Sequence, residues 1–195
     1  ILGYTQLLLK QDPGHEDLKV IEKHVQNCKT VVSDLLSFSR KGSVKVADVE
    51  MNGVVDNVVK FLSNHSDFRD IEMIAQLSKE TQLYVLGNEQ ELTQVLVNLF
   101  INACHACGGK GMIRVSTRNP DEKNVHIHVE DNGKGIDQNN LPRIFNPFFT
   151  TKPVGQGTGL GLSVGYGIIK RHHGDIIVSS EPGKGTMFTI MLPLN

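Results

Sequence analysis

Apolar positions change period repeatedly along this chain of 195 residues. Leu18, Ile21, Val25, Cys28, Val32, Leu35 and Ser39 recur at alternating spacings of three and four, which is a heptad seam. Before them, "ILGYTQLLLK" reads as the end of a helix and "QDPGHED" as a turn punctuated by Pro13 and Gly14. Together they predict a helical hairpin over residues 1–40. Two helices alone cannot bury both their faces, so a second copy is the natural partner in a bundle; the alternative is a hairpin lying on its own globular domain. "SRKGSVKVADV" then reads as a polar linker. Residues 51–65 form a predicted helix, and "IEMIAQL" and "LYVLG" predicted strands. A strong helical pattern covers 88–106, followed by strands near 111–118 and 124–131. An irregular, Gly-rich stretch occupies 132–159. A helix over 160–172 and strands at 175–180 and 185–192 complete the pattern. Helices and strands are mixed without strict βαβ alternation. The expected fold class is therefore α+β, a mixed sheet with helices layered on one face.

Charge and composition narrow the function classes. The formal net charge is -1, and no Lys/Arg run stands out. The basic footprint of a nucleic-acid binder is absent, as is a polybasic membrane surface. No apolar run approaches the ~20 residues of a membrane helix. The chain begins mid-pattern without Met, which reads as a piece of a longer protein. The expected location is cytoplasmic, with no membrane contact in this stretch; an upstream inner-membrane anchor stays open. Three cysteines do not make a disulfide framework. Cys104 and Cys107 form "CHAC", readable as a metal or redox pair or as two small side chains on consecutive turns of one helix.

Three stretches carry chemistry. On the helix "NEQELTQVLVNLFINACHA", Leu92, Val95, Leu96, Leu99, Ala103 and Ala106 form an apolar stripe. Beside it Glu91, Gln94, Asn98, Asn102 and His105 fall on one line. Asparagine is a poor helix former, so two of them one turn apart need a reason beyond solvation. An amide carbonyl is a hard oxygen ligand suited to Mg²⁺, which arrives with phosphates and needs only one or two protein oxygens. Next, "VHIHVE" alternates, and the alternation puts Asp131 of "DNGKGI" on the apolar side. A buried carboxylate is costly unless paired; a ligand amino group could pair it. Gly133 and Gly135 would let the backbone approach a flat ring and take positive φ, although an Asn-Gly turn alone has the same look. Third, "FNPFFTTKPVGQGTGLGLSVGYGIIK" places Gly155, Gly157, Gly159 and Gly161 before or at a helix start, where backbone N–H groups bind phosphate. Lys152 could add a point charge for the γ-phosphate, and residues 150–158 could form a lid. A Gly-rich surface loop is the plain alternative. Neither a G-x-G-x-x-G nor a Walker A motif occurs.

In this order the pieces resemble the Bergerat-type ATP-binding fold, the superfamily of gyrase B subunits, heat-shock chaperones, mismatch-repair ATPases and histidine kinases. The resemblance covers residues 46–195 as a catalytic ATP-binding domain. "NLFINA" looks like its N box, "DNGKGI" its G1 box, "FNPFFTTK" its F box, "GTGLGL" its G2 box, and "GKGTMFTIMLP" its closing strand. It implies ATP and Mg²⁺ as cofactors. Asp131 would accept from the adenine amino group and Asn102 would ligate Mg²⁺. Gly133, Gly135 and Ile136 would shape the adenine pocket, supported by Thr186. Gly157, Thr158, Gly159, Leu160, Gly161 and Leu162 would meet the phosphates. Phe145, Phe148 and Phe149 would anchor a lid carrying Thr150, Thr151 and Lys152. Hydrolytic members carry a Glu one turn before the metal-binding Asn. Here Asn98 stands there, and an amide is no general base. The resemblance therefore implies phosphoryl transfer, with Asn98 and Lys152 as the catalytic candidates; Asn98 would also contact the nucleotide, and could orient a nucleophile or help hold the metal.

Residues 1–40 resemble a truncated dimerisation and phosphoacceptor hairpin of sensor histidine kinases. The implied acceptor His lies roughly ten residues before Ile1, by family spacing. His15 sits in the turn and lacks the following Pro. His24 lies beside the seam as a packing or surface residue. His105 lies on the polar stripe, within reach of phosphate. Implied partners are a response-regulator receiver domain and a second copy of the chain. A Ser/Thr-directed relative of the anti-sigma-factor type and an ATP-gated interaction module are the alternatives.

Overall fold

The structure, a computed structural model, describes residues 1–22, 25, 46–79, 83–153 and 157–195. The hairpin is present in part. Leu2–Gln11 is a helix (α1), residues 12–15 turn, and residues 16–22 are helical. Gln6 Nε2 donates to Glu22 Oε1 at 2.9 Å across the two arms. His15 lies in the turn, as its sequence context implied. The seam positions Cys28, Val32, Leu35 and Ser39, and His24, lie outside the described residues.

The remainder follows the mixed pattern. Its strands are Ala47–Glu50 (β1), Asp70–Gln76 (β2), Tyr84–Gly87 (β3), Lys110–Arg118 (β4), Asn124–Asp131 (β5), Asp175–Glu181 (β6) and Gly185–Pro193 (β7). Its longer helices are Met51–Ser63 (α2), Glu89–Ala106 (α3) and Gly161–Arg171 (α4). Five strands form one sheet in the order β2-β4-β5-β7-β6, with β2 and β4 parallel and the other pairs antiparallel. Val125, Ile127, Val129, Phe188, Ile190, Ile113 and Val115 all point to one face and are buried together with Leu92, Leu96, Leu99, Val164 and Ile168 of the helices. That single covered face is what period-two alternation dictates. Among the described residues, no helix is long and apolar enough to cross a membrane.

One element differs from the expected linker. Ala47–Glu50 is a strand paired antiparallel with Tyr84–Gly87. It has a single buried side chain, Val49, so apolar periodicity could not reveal it. Glu50 then caps α2, accepting from the N–H groups of Asn52 (3.1 Å) and Gly53 (2.6 Å).

His172 joins the ends of two helices that frame the site. Its Nε2 accepts from the Asn88 N–H at 3.0 Å, so Nδ1 carries the proton and donates to the Ile168 carbonyl at 2.9 Å. Asn88 is itself the cap of α3, its Oδ1 accepting from Glu91 N–H at 2.9 Å. The ring fills the space beside Gly87, where a Cβ would come within 2.4 Å of it. His172→Ala leaves a buried donor unmatched and a void behind it. A loss of about 2–3 kcal/mol is expected, read as a lower urea midpoint with an unchanged slope.

Candidate functional site

Asp131 ends β5 on the covered face, opposite Thr186 on one side and Ile113 on the other. It is 5% exposed. Its Oδ1 accepts from the Gly133 N–H at 2.9 Å. Burial pushes its carboxyl above the usual carboxylate range, and the N–H groups of Gly133 and Thr186 pull partly back. Asp131 thus lies on the covered face, as the alternation of β5 dictates.

The glycines after it serve a different neighbour from the one expected. A Cβ on Gly133 would fall 2.4 Å from the carbonyl carbon of Ala106, and one on Gly135 would fall 2.2 Å from the Glu181 carbonyl oxygen. The close approach at these two positions is to the protein's own backbone. The peptide of Lys134 sits between them, its N–H donating to Ala106 O (3.0 Å) and its carbonyl accepting from Gly183 N–H (2.8 Å). Gly135 does take positive φ, at 69°.

Ser180 went unnoticed in the sequence. Its hydroxyl accepts from Ile136 N–H at 2.8 Å and also contacts Gly185 O and Thr186 Oγ1, each at 2.9 Å. It fastens Ile136 and Thr186 beside Asp131. A signal was available: Ser180 shares the inward phase of Ile176 and Val178 on β6, a polar group where the pattern calls for an apolar one. Asn132 was missed too; its Oδ1 accepts from Met112 N–H at 2.8 Å and closes the turn against β4.

On α3, Asn98 and Asn102 share a face one turn apart. Asn98 Nδ2 donates to the Gly161 carbonyl at 3.3 Å, at the start of α4. Its own carbonyl oxygen is left as an acceptor. Asn102 has no hydrogen-bond partner among the described residues. The start of α4, at Leu160 and Gly161, carries no side-chain cap, so its first N–H groups remain donors. Leu160 N–H itself bonds Thr158 Oγ1 at 3.2 Å, and Leu162 packs against the core.

The segment before α4 folds onto its base. Phe145 packs on Tyr166 at 5.2 Å between ring centroids, and Arg143 lies over the Phe149 ring at 4.7 Å. Phe148 is 65% exposed and anchors nothing among the described residues. Its φ is +65°, and a Cβ on Gly159 would fall 2.4 Å from its carbonyl carbon. That contact fixes the backbone and turns the ring outward, which corrects the expected three-Phe anchor. Thr150 Oγ1 accepts from Lys152 N–H at 3.1 Å, and Thr151 is exposed. The Lys152 stem lies against Gly157, and its Nζ is 2.7 Å from His105 Nδ1. Gly155 lies outside the described residues.

Cys104 and Cys107 are free. Cys104 is buried in α3 with its thiol donating to Asp67 O at 3.3 Å; burial pushes both thiols up. Among the described residues, no group of three or more His, Cys, Asp or Glu side chains converges as a metal cage.

Residues 87–195 match the family model described as the histidine kinase-, DNA gyrase B-, and HSP90-like ATPase. The chain belongs to this family. Within it, the catalytic domain of histidine kinase ThkA is 30% identical with a TM-score of 0.68, the match covering 77% of this chain and 96% of that one. The signal transduction histidine-protein kinase AtoS of Escherichia coli K12 is 38% identical over 198 residues, covering all of this chain. This chain spans 32% of the length of AtoS. Full-length ShkA, solved in complex with AMPPNP, shares the fold over all of this chain and 42% of its own, at TM-score 0.81 and 24% identity. ThkA has also been solved in complex with the response regulator protein TrrA; that structure covers all of this chain and 57% of its own, at TM-score 0.77 and 24% identity. The mixed sheet with helices on one face is thus the fold of histidine kinase catalytic domains.

Proposed function

We propose that this chain is the nucleotide-binding core of a sensor histidine kinase. It holds Mg²⁺-ATP between α3, α4 and the sheet, and directs the γ-phosphoryl group to a His upstream of Ile1. From there the group passes to an Asp of a response-regulator receiver domain. The hairpin pairs with that of a second copy.

The donor set fits the ligand. Asp131 is a desolvated acceptor facing where an adenine amino group would sit. The carbonyl of Asn98 and the amide of Asn102, without a side-chain partner among the described residues, are neutral oxygen donors, which suits a metal that arrives already bound to phosphates. The uncapped start of α4 at Gly161, with Gly157 and Gly159 before it, offers N–H groups to phosphate oxygens. Magnesium there would neutralise phosphate charge during transfer. Thr186, Ile136 and Ser180 hold the adenine end rigid.

Asn98 carries the choice of reaction. It occupies the place of a water-activating base with a neutral amide, and its Nδ2 is spent on Gly161 O. It positions rather than deprotonates, so the acceptor must bring its own nucleophile. That favours an imidazole nitrogen over water.

The test uses radiolabelled ATP and a chain extended upstream to include the acceptor His. Acid-labile, base-stable label in that chain, and none in the 195-residue chain, is the expected result. Acid-stable phosphoserine would indicate a Ser/Thr-directed relative. Nucleotide-dependent dimerisation without label would indicate an interaction module.

A further inference from the structure

His105 carries a feature that a simple phosphate contact does not explain. It lies on the last turn of α3, one turn beyond Asn102, and its Nδ1 is 2.7 Å from Lys152 Nζ. An ammonium only donates, so Nδ1 must be the acceptor and His105 must be neutral with its proton on Nε2. Its lone pair is turned to a cation, not to an anion. The Lys152 stem meanwhile lies against Gly157, at the phosphate end of the site, with Cδ and Cβ 3.1 and 3.4 Å from where a Cβ on Gly157 would stand. One lysine is thus pinned at both ends.

We infer that His105 is a positioning residue that acts on the nucleotide through Lys152. It holds the ammonium beside Gly157 and so sets the preference for a triphosphate over a diphosphate. This rests on the nucleotide-binding reading above. A free lysine side chain must give up much rotamer freedom to grip a phosphate; here the imidazole has already ordered it. One donor of the ammonium goes to His105, and two remain for an anion. The surroundings favour the arrangement. Burial, then the Lys152 charge, hold the His105 imidazole below its ordinary range, while Asp67 pulls the other way. Burial, then Lys134, lower Lys152. A crowded, partly buried cation without an acidic partner among the described residues is complemented by phosphate charge.

The substitution pattern separates this role from direct phosphate contact. A Gln at position 105 still offers an acceptor oxygen; a Lys there offers a cation to phosphate but no acceptor. Affinities of this chain for Mg²⁺-AMPPNP and Mg²⁺-ADP are measured by calorimetry. His105→Ala and His105→Lys should each weaken AMPPNP about five- to tenfold and leave ADP within about twofold. His105→Gln should stay near wild type. Lys152→Ala should match His105→Ala, and the double variant should lose no more than either alone. The ratio of AMPPNP to ADP affinity should fall as pH is lowered and a proton takes the Nδ1 lone pair, and the Gln variant should lose that change in the ratio while keeping any loss common to both nucleotides. Restoration by Lys, additive losses, or equal losses for ADP would overturn the inference while leaving nucleotide binding intact. Failure of the wild type to bind either nucleotide would overturn the underlying reading and the inference with it.

Discussion

Asp131→Asn should weaken Mg²⁺-ATP binding about a hundredfold and at the same time raise the melting temperature of the ligand-free protein. Both effects come from one buried charge. In the free protein Asp131 is desolvated and, among the described residues, compensated by the N–H groups of Gly133 and Thr186. The site bears that cost until a donor from the ligand arrives. Asparagine removes the charge and keeps the shape, so the free fold should gain about 1 kcal/mol, or roughly 2–4 °C for a chain of this size. The bound state loses a charge-assisted hydrogen bond. The pH signs follow from the raised carboxyl. Nucleotide affinity should be fully present above the folded-state pKa of Asp131 and lost as pH falls through it, earlier than for an exposed carboxylate. Stability of the free wild type runs the other way. The folded protein binds the Asp131 proton more tightly than the unfolded chain, so this contribution is present below the unfolded pKa and lost as pH rises through the folded one. The thermal advantage of Asp131→Asn should therefore be clear at neutral pH and shrink in acid. Calorimetric titration and thermal melts across pH check both halves. A variant that binds like wild type removes Asp131 from the site.

Gly185→Ala should be the most damaging single methyl in the catalytic domain. Gly185 has φ +117°, and a Cβ there would fall 1.9 Å from the carbonyl oxygen of Asp131. The obstacle is backbone on a paired central strand, so nothing can swing aside. A loss above about 3 kcal/mol is expected, seen as poor soluble yield or a large drop in the urea midpoint. Gly183 in the same hairpin is the control. It also has positive φ, +79°, but nothing lies within 4 Å of its Cβ position. Gly183→Ala should cost only the conformational penalty, about 1–2 kcal/mol. Comparable losses at both positions would mean that φ alone, and not the Asp131 contact, sets the requirement.

These cases mark what the sequence could and could not convey. Asp131 was readable because alternation is a local property with a sharp phase. The Glu89–Ala106 helix was readable from its apolar stripe. The strand Ala47–Glu50 was not, because it is held by pairing with Tyr84–Gly87 and buries one side chain. The backbone neighbours of Gly133 and Gly135 were not readable. Their neighbours, Ala106 and Glu181, are 27 and 46 residues away along the chain, and no local pattern encodes a backbone contact at such distance. Phe148 was misread because three phenylalanines in one segment look equivalent until a positive φ turns one outward. Ser180 was within reach by the same reasoning that found Asp131. The pairing of Lys152 with His105 was out of reach: both residues were candidates, but proximity across 47 positions needs the fold.

The Lys134 peptide has a consequence for how this domain can be altered. The wall that would stand behind the proposed base is no independent loop. It is assembled from the end of one helix, the tip of one hairpin and the last residue of one strand, each already committed to the scaffold. Exchanging the loop for one of another sequence would therefore rebuild three joints at once. On the proposed nucleotide reading, base preference in such a domain would have few dials that turn separately, with Asp131 as the principal one.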